Sequence, residues 1–178
     1  MKKMNNNFYR PSAEAPEELE IQTSTLCLSA KCWGNPEGMP VLAFHGWLDN
    51  AATFDHLAPY LKEFRLVSLD LPGHGLSEHR SSGSSYHFSD IIVDVLEVLH
   101  VLGWQRFSLL GHSMGAGVAS YLAGTIPEKI SSVILIEGLG SLAQKAEKMP
   151  EILRESAEQW QKLANKKLPL YPDVETAL

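Results

Sequence analysis

The histidines of this 178-residue chain, His45, His56, His74, His79, His87, His100 and His112, run out at His112, and none occurs beyond it. That excludes an imidazole base contributed by the C-terminal segment. Cysteine is scarce: Cys27 and Cys32 are the only two. They have too few neighbouring ligands for a metal site. Both read as buried thiols or half-exposed strand residues. Basic residues do not group either. Lys2-Lys3 and Lys166-Lys167 are short pairs in a chain of formal net charge −6, and binding nucleic acid requires clustered Lys and Arg. No apolar run approaches the roughly 20 residues that span a bilayer. The polar start Met1-Lys2-Lys3-Met4-Asn5-Asn6-Asn7 lacks the apolar stretch of a signal peptide. The expected location is cytoplasmic, with neither a nucleic acid nor a membrane as partner.

What remains is ordinary for a globular domain: 44% hydrophobic and 20% charged residues, in a chain long enough to bury a core. Residues 1–18 are polar, with Pro11 and Pro16, and read as a flexible tail. Over 19–33 polar and apolar residues alternate as in antiparallel edge strands, and Gly34-Asn35-Pro36-Glu37-Gly38 is a turn cluster. Then the texture changes. Unbroken apolar runs at 41–44, 66–69, 107–110 and 133–136 suit parallel strands covered on both faces. Between them, Phe54, Leu57, Ala58 and Leu61 follow helical spacing, as do Ile92, Val95, Leu96 and Leu99. A third helix is expected from Ser113 to about Ile126, stopped by Pro127. The alternation predicts an α/β fold, a mostly parallel sheet with helices on both faces. Residues 141–164 read as an amphipathic helix with Leu153, Ala157, Trp160 and Ala164 on one stripe, the stripe around Trp160 being for packing. Pro169 and Pro172 interrupt the chain before 174–178, which read as the first turn of another helix.

In such sheets ligands bind beyond the carboxyl ends of the strands. His45-Gly46-Trp47, Asp70-Leu71-Pro72-Gly73-His74-Gly75 and Gly111-His112-Ser113-Met114-Gly115 all fall there. The last has the layout of a nucleophile elbow, a serine between glycines at a strand-to-helix turn too sharp for flanking side chains. A serine hydroxyl needs a base to take its proton and preorganised donors for the oxyanion that forms. The backbone N–H of Met114, at a helix N-terminus, is one such donor. The N–H of Trp47, in the loop after the first parallel strand, is the candidate for the other.

On these residues the chain resembles the α/β-hydrolase superfamily, and within it the serine hydrolase-like proteins, relatives of epoxide hydrolases and haloalkane dehalogenases. The resemblance is carried by His45-Gly46-Trp47-Leu48-Asp49-Asn50-Ala51 with Phe54-Asp55, by Asp70-Leu71-Pro72-Gly73-His74-Gly75-Leu76-Ser77, by Gly111 to Gly115, and by Glu137-Gly138. It covers roughly residues 19–178. It implies a Ser–acid–His triad, no metal or organic cofactor, and ester-like acyl substrates admitted under a helical cap. Ser113 takes the nucleophile role, with Trp47 and Met114 as oxyanion donors. His45, Gly46, His74 and His112 line the pocket, and Glu137 sits where some relatives place their acid. The expected organisation is a tail over 1–18, the N-terminal part of a hydrolase core over 19–140 and the beginning of a cap over 141–178.

The family's chain order of serine, acid and histidine meets the missing histidine here. The chain therefore reads as a form lacking the triad histidine and the usual acid. The alternative is a non-catalytic binding module on the same fold. An uncovered apolar strand near 133–136 offers self-association as a further possibility. A third alignment, Gly111 to Ala116 as G-x-S-x-x-A with Glu137 some way on, resembles a dinucleotide-binding turn. There the serine side chain obstructs the close approach of a pyrophosphate.

Overall fold

The computed structural model describes residues 15–139 and 145–164. Most of the expected tail, at 1–14, and the segment 165–178 with Pro169 and Pro172 lie outside the described residues. The chain divides into two compact units, Met1–Ser141 and Leu142–Leu178.

The first unit is a six-stranded sheet of β1 (Glu17–Gln22), β2 (Cys27–Gly34), β3 (Pro40–Phe44), β4 (Arg65–Leu69), β5 (Phe107–His112) and β6 (Ile130–Ile136), in the order β1-β2-β4-β3-β5-β6. Strands β4, β3, β5 and β6 run parallel, and β1 and β2 add antiparallel pairs on one side. The four apolar runs therefore became the parallel strands, as the sequence predicts. The alternating segment did form antiparallel strands, but only β1 is an edge. β2 is interior, with Ala30 opposite Leu69 and Trp33 opposite Leu66. Both of its faces are in use, and Leu28 and Ala30 are fully buried.

Side chains alternate across the sheet, so β3, β4 and β5 each feed two cores. Val133, Ile134 and Ile136 of β6, a run expected to be covered on both faces, are instead exposed because β6 is the edge strand of the described sheet. Leu42, Phe44, Val67, Leu69 and Leu109 pack with Val95, Val98 and Leu99 of α1 (Phe88–Leu102) and with Val118, Ala119 and Leu122 of α2 (Met114–Thr125). Val41, Ala43, Leu66 and Leu110 face the other way, against Phe54 and Ala58. Each fully buried Leu or Phe contributes about 1.5–3 kcal/mol.

α1 opens with the His87 N–H donating to the Asp90 carboxylate at 3.3 Å. It closes on Gly103, whose φ of 67° lets its N–H reach back to Leu99 O. α2 is capped by Ile126, directly before Pro127, where proline disfavours helical backbone.

The helix expected around 54–61 is instead two 3-10 turns, Ala51–Phe54 and Ala58–Tyr60. Pro59 has no N–H for the i−4 carbonyl and its ring would strike it. Asn50 caps the first turn by accepting from the Ala52 N–H at 2.9 Å. The apolar spacing still buries Phe54 and Ala58.

The second unit contains α3 (Met149–Ala164), preceded by a 3-10 turn at Ala146–Lys148. Leu153 and Ala157 of the expected stripe are exposed, and the side chains of Trp160 and Ala164 lie outside the described residues. Among the described residues no helix is long and apolar enough to cross a membrane.

Candidate active site

Ser113 joins β5 to α2 with φ 52° and ψ −114°, a left-handed conformation that costs a non-glycine residue about 1–3 kcal/mol. The surroundings hold it there. Its N–H donates to Ile136 O at 2.8 Å, and its carbonyl accepts from Ala116 N at 3.0 Å. The flanking glycines leave no alternative. A Cβ on Gly111 would stand 2.4 Å from Gly115 O, and one on Gly115 would stand 2.2 Å from Phe44 O. The elbow is thus clamped against the end of β3. Met114 opens α2, so its N–H has no i−4 partner within the helix and points the positive end of the dipole toward the serine.

The loop leaving β3 is built on His45, which is fully buried. Its Nδ1–H donates to Gly46 O at 2.7 Å, and its Nε2 accepts from the Leu71 N–H at 3.0 Å. These bonds fix one neutral tautomer. Burial, above all, pushes its pKa below the ordinary histidine value. Trp47 and Leu48 follow, with exposures of 67% and 80%. Among the described residues the Trp47 N–H has no backbone acceptor. The His74 ring lies 5.0 Å from His45 and edge-on to the Trp47 ring at 5.8 Å, with Nδ1 3.1 Å from Pro72 O.

Asp70 ties this loop to the one leaving β4. Its buried carboxylate accepts from the Ala51 N–H at 2.6 Å and from the Leu76 N–H at 2.9 Å. Gly75, at φ 52°, makes room for it, because a Cβ there would fall 2.2 Å from Asp70 Oδ2.

At the end of β6, Glu137 adopts φ 54° and brings Oε2 to 3.2 Å from His112 Nε2. Leu48, Ser113 and Glu137 are the non-glycine residues with positive φ among those described. They stand just beyond the ends of β3, β5 and β6, three adjacent strands of the sheet. Such strain persists only where the surrounding structure enforces it, and it gathers at functional sites.

A family model described as the alpha/beta hydrolase fold matches residues 39–171. The chain belongs to this family. A serine hydrolase-like protein of Danio rerio is 46% identical over 116 residues, which is 65% of this chain and 36% of the relative. One from Dictyostelium discoideum is 41% identical over 152 residues, 83% of this chain and 41% of the relative. Among solved structures, a hypothetical protein of Pseudomonas aeruginosa PAO1 matches with a TM-score of 0.84 and 48% identity, over 90% of this chain and 57% of that one. A thioesterase domain from the curacin biosynthetic pathway matches with a TM-score of 0.77 and 31% identity, over 92% and 60%. The chain spans between 36% and 60% of the length of these relatives.

In this alpha/beta hydrolase the fold brings His45, Gly46, Trp47, His74, His112, Ser113, Met114 and Glu137 to the carboxyl end of the parallel strands. Of the histidines there, His45 is engaged through both nitrogens, whereas His74 meets Pro72 O through Nδ1 and His112 meets Glu137 through Nε2. Sequence reasoning places Asp70 at this end of the sheet but gives it no role, because that role needs backbone partners on two loops. Its signal was an acidic residue ending an apolar strand before two closely spaced glycines.

Proposed function

We propose that this chain carries the nucleophile and oxyanion-hole part of a serine hydrolase acting on ester-like acyl substrates. The observation that carries the reading is Ser113 itself, held at φ 52° and ψ −114° at the start of α2. In the proposed reaction Ser113 Oγ attacks the acyl carbonyl carbon and gives its proton to a base. The carbonyl oxygen becomes an oxyanion between the N–H groups of Trp47 and Met114. Collapse expels the alcohol as the base returns the proton to the leaving oxygen, and water, deprotonated by the same base, then releases the acid from the acyl-serine. The serine hydrolase-like names of the relatives and the thioesterase neighbour support acyl chemistry on a small-molecule substrate. Within these 178 residues no histidine follows Ser113, and Glu137 is the candidate acid.

A second reading, a binding module without catalysis, is favoured by one observation. No histidine follows Ser113 in sequence, and the buried His45 beside it has both ring nitrogens engaged. Chemical rescue separates the two. Added imidazole should let the purified chain hydrolyse p-nitrophenyl esters above the rate of a Ser113→Ala control, since an oxyanion hole and binding alone give about 10³–10⁴-fold over water. Equal rates for the two proteins, at every acyl length tried, would leave only the binding module.

A further inference from the structure

Sequence reasoning offers Glu137 as an acid; its carboxylate meets His112, and His112 touches the loop at Gly46. The Nδ1 atom of His112 is buried and has no hydrogen-bond partner among the described residues. A Cβ placed on Gly46 would lie 3.2 Å from that Nδ1, 3.5 Å from His112 Cε1 and 3.5 Å from Ser113 Cβ. The backbone of Gly46 therefore rests on the imidazole edge and on the serine together. On its other side the ring meets Glu137 Oε2 at 3.2 Å. Glu137 in turn is fixed by its positive φ and by the next residue. A Cβ on Gly138 would stand 2.9 Å from both Ser113 O and Ala116 Cβ, so the backbone leaving β6 is pressed onto the elbow.

We propose that Glu137 and His112 are a positioning pair that sets the separation between the oxyanion loop at Gly46-Trp47 and the elbow at Ser113-Met114. A carboxylate on Nε2 keeps the proton there and fixes the tautomer. Nδ1 then presents a lone pair, with no bulk of hydrogen, toward the Gly46 backbone. The ring acts as a spacer between the two N–H groups that would receive an oxyanion. Glu137 is mostly exposed, so its hydrogen bond adds little to overall stability. Its effect is on orientation.

The role of the spacer rests on reading Trp47 and Met114 as oxyanion donors, and the test keeps the two ideas apart. Backbone amide resonances of Trp47 and Met114 would be recorded for the wild type, Glu137→Ala and Glu137→Gln. Phosphonylation of Ser113 by a fluorophosphonate would be timed in the presence of imidazole. Glu137→Ala is expected to displace both amide resonances and slow phosphonylation about tenfold, a fraction of the 10²–10³ lost with a whole donor. Glu137→Gln keeps an acceptor oxygen for Nε2–H and is expected to stay within about twofold of wild type. The melting temperature should not move. Amide resonances unmoved by Glu137→Ala overturn the positioning role whatever the labelling shows, whereas a wild type that resists phosphonylation counts against Ser113 as nucleophile. A second pair checks the contact directly: His112→Ala is expected to relieve the disturbance caused by Gly46→Ala, and strictly additive effects would overturn the proposal.

Discussion

Two glycines of α2 respond oppositely to the same substitution. At Gly115 a new Cβ would sit 2.2 Å from Phe44 O, 2.5 Å from Phe44 C and 2.7 Å from His45 O. All three are backbone atoms, so no rotamer change relieves the clash, and α2 must move away from the end of β3. Overpacking that needs a backbone shift costs about 1–3 kcal/mol, and contacts this short put Gly115→Ala at the upper end, about 3 kcal/mol. Gly124 lies in the same helix, exposed, with nothing within 4 Å of a Cβ. There alanine removes the flexibility penalty of a helical glycine and stabilises by about 0.5–1 kcal/mol. In a protein of this size 1 kcal/mol moves the melting temperature by about 2–4 °C. Gly115→Ala is expected to lower it by about 6–12 °C and Gly124→Ala to raise it by about 1–4 °C, read by circular dichroism. A Gly115→Ala protein melting with the wild type would refute the close approach of the elbow to β3, and a Gly124→Ala protein melting below it would refute the open space at Gly124.

Ser113→Gly should raise stability by about 1 kcal/mol in urea unfolding, because glycine tolerates φ 52° without strain. A destabilised variant would mean that the serine backbone is unstrained. Asp70→Ala leaves the Ala51 and Leu76 N–H groups without their acceptor. A cost of about 2–4 kcal/mol is expected, and a loss below 1 kcal/mol would show that the carboxylate is dispensable. His45 gives a pH dependence. Burial lowers its folded pKa below 6.5, so the unfolded chain binds the proton more tightly. Its contribution is full above about pH 6.5 and is lost as the pH falls through that value toward the folded pKa, at up to about 1.4 kcal/mol per pH unit. Stability measured from pH 7 to 5 should fall more steeply in wild type than in His45→Gln, and parallel slopes would contradict the neutral buried imidazole.

The parallel core was readable because strands covered on both faces need unbroken apolar runs, and β3, β4 and β5 have them. The run of β6 marked a parallel strand but not its burial, since β6 is the edge of the described sheet. The elbow was readable because its steric demand leaves only glycine at 111 and 115. Periodicity could not report that β2 lies between β1 and β4, since strand order is set by pairing across the sheet. Nor did the spacing of Phe54, Leu57, Ala58 and Leu61 separate an α-helix from two 3-10 turns, although Pro59 held the deciding signal. At the site, the bond from Asp70 to Ala51 and the one from His112 to Glu137 join residues 19 and 25 positions apart. Such partners are brought together by the sheet and leave no local pattern.

The central claim is that Ser113 is a nucleophile facing an oxyanion hole. Its most direct test is mass-spectrometric mapping of the site modified by a fluorophosphonate, with imidazole supplying the base. Modification at Ser113, accelerated by imidazole and abolished in Ser113→Ala, is the expected result. A modification spread over the chain's other serines, with Ser113 untouched, would contradict it.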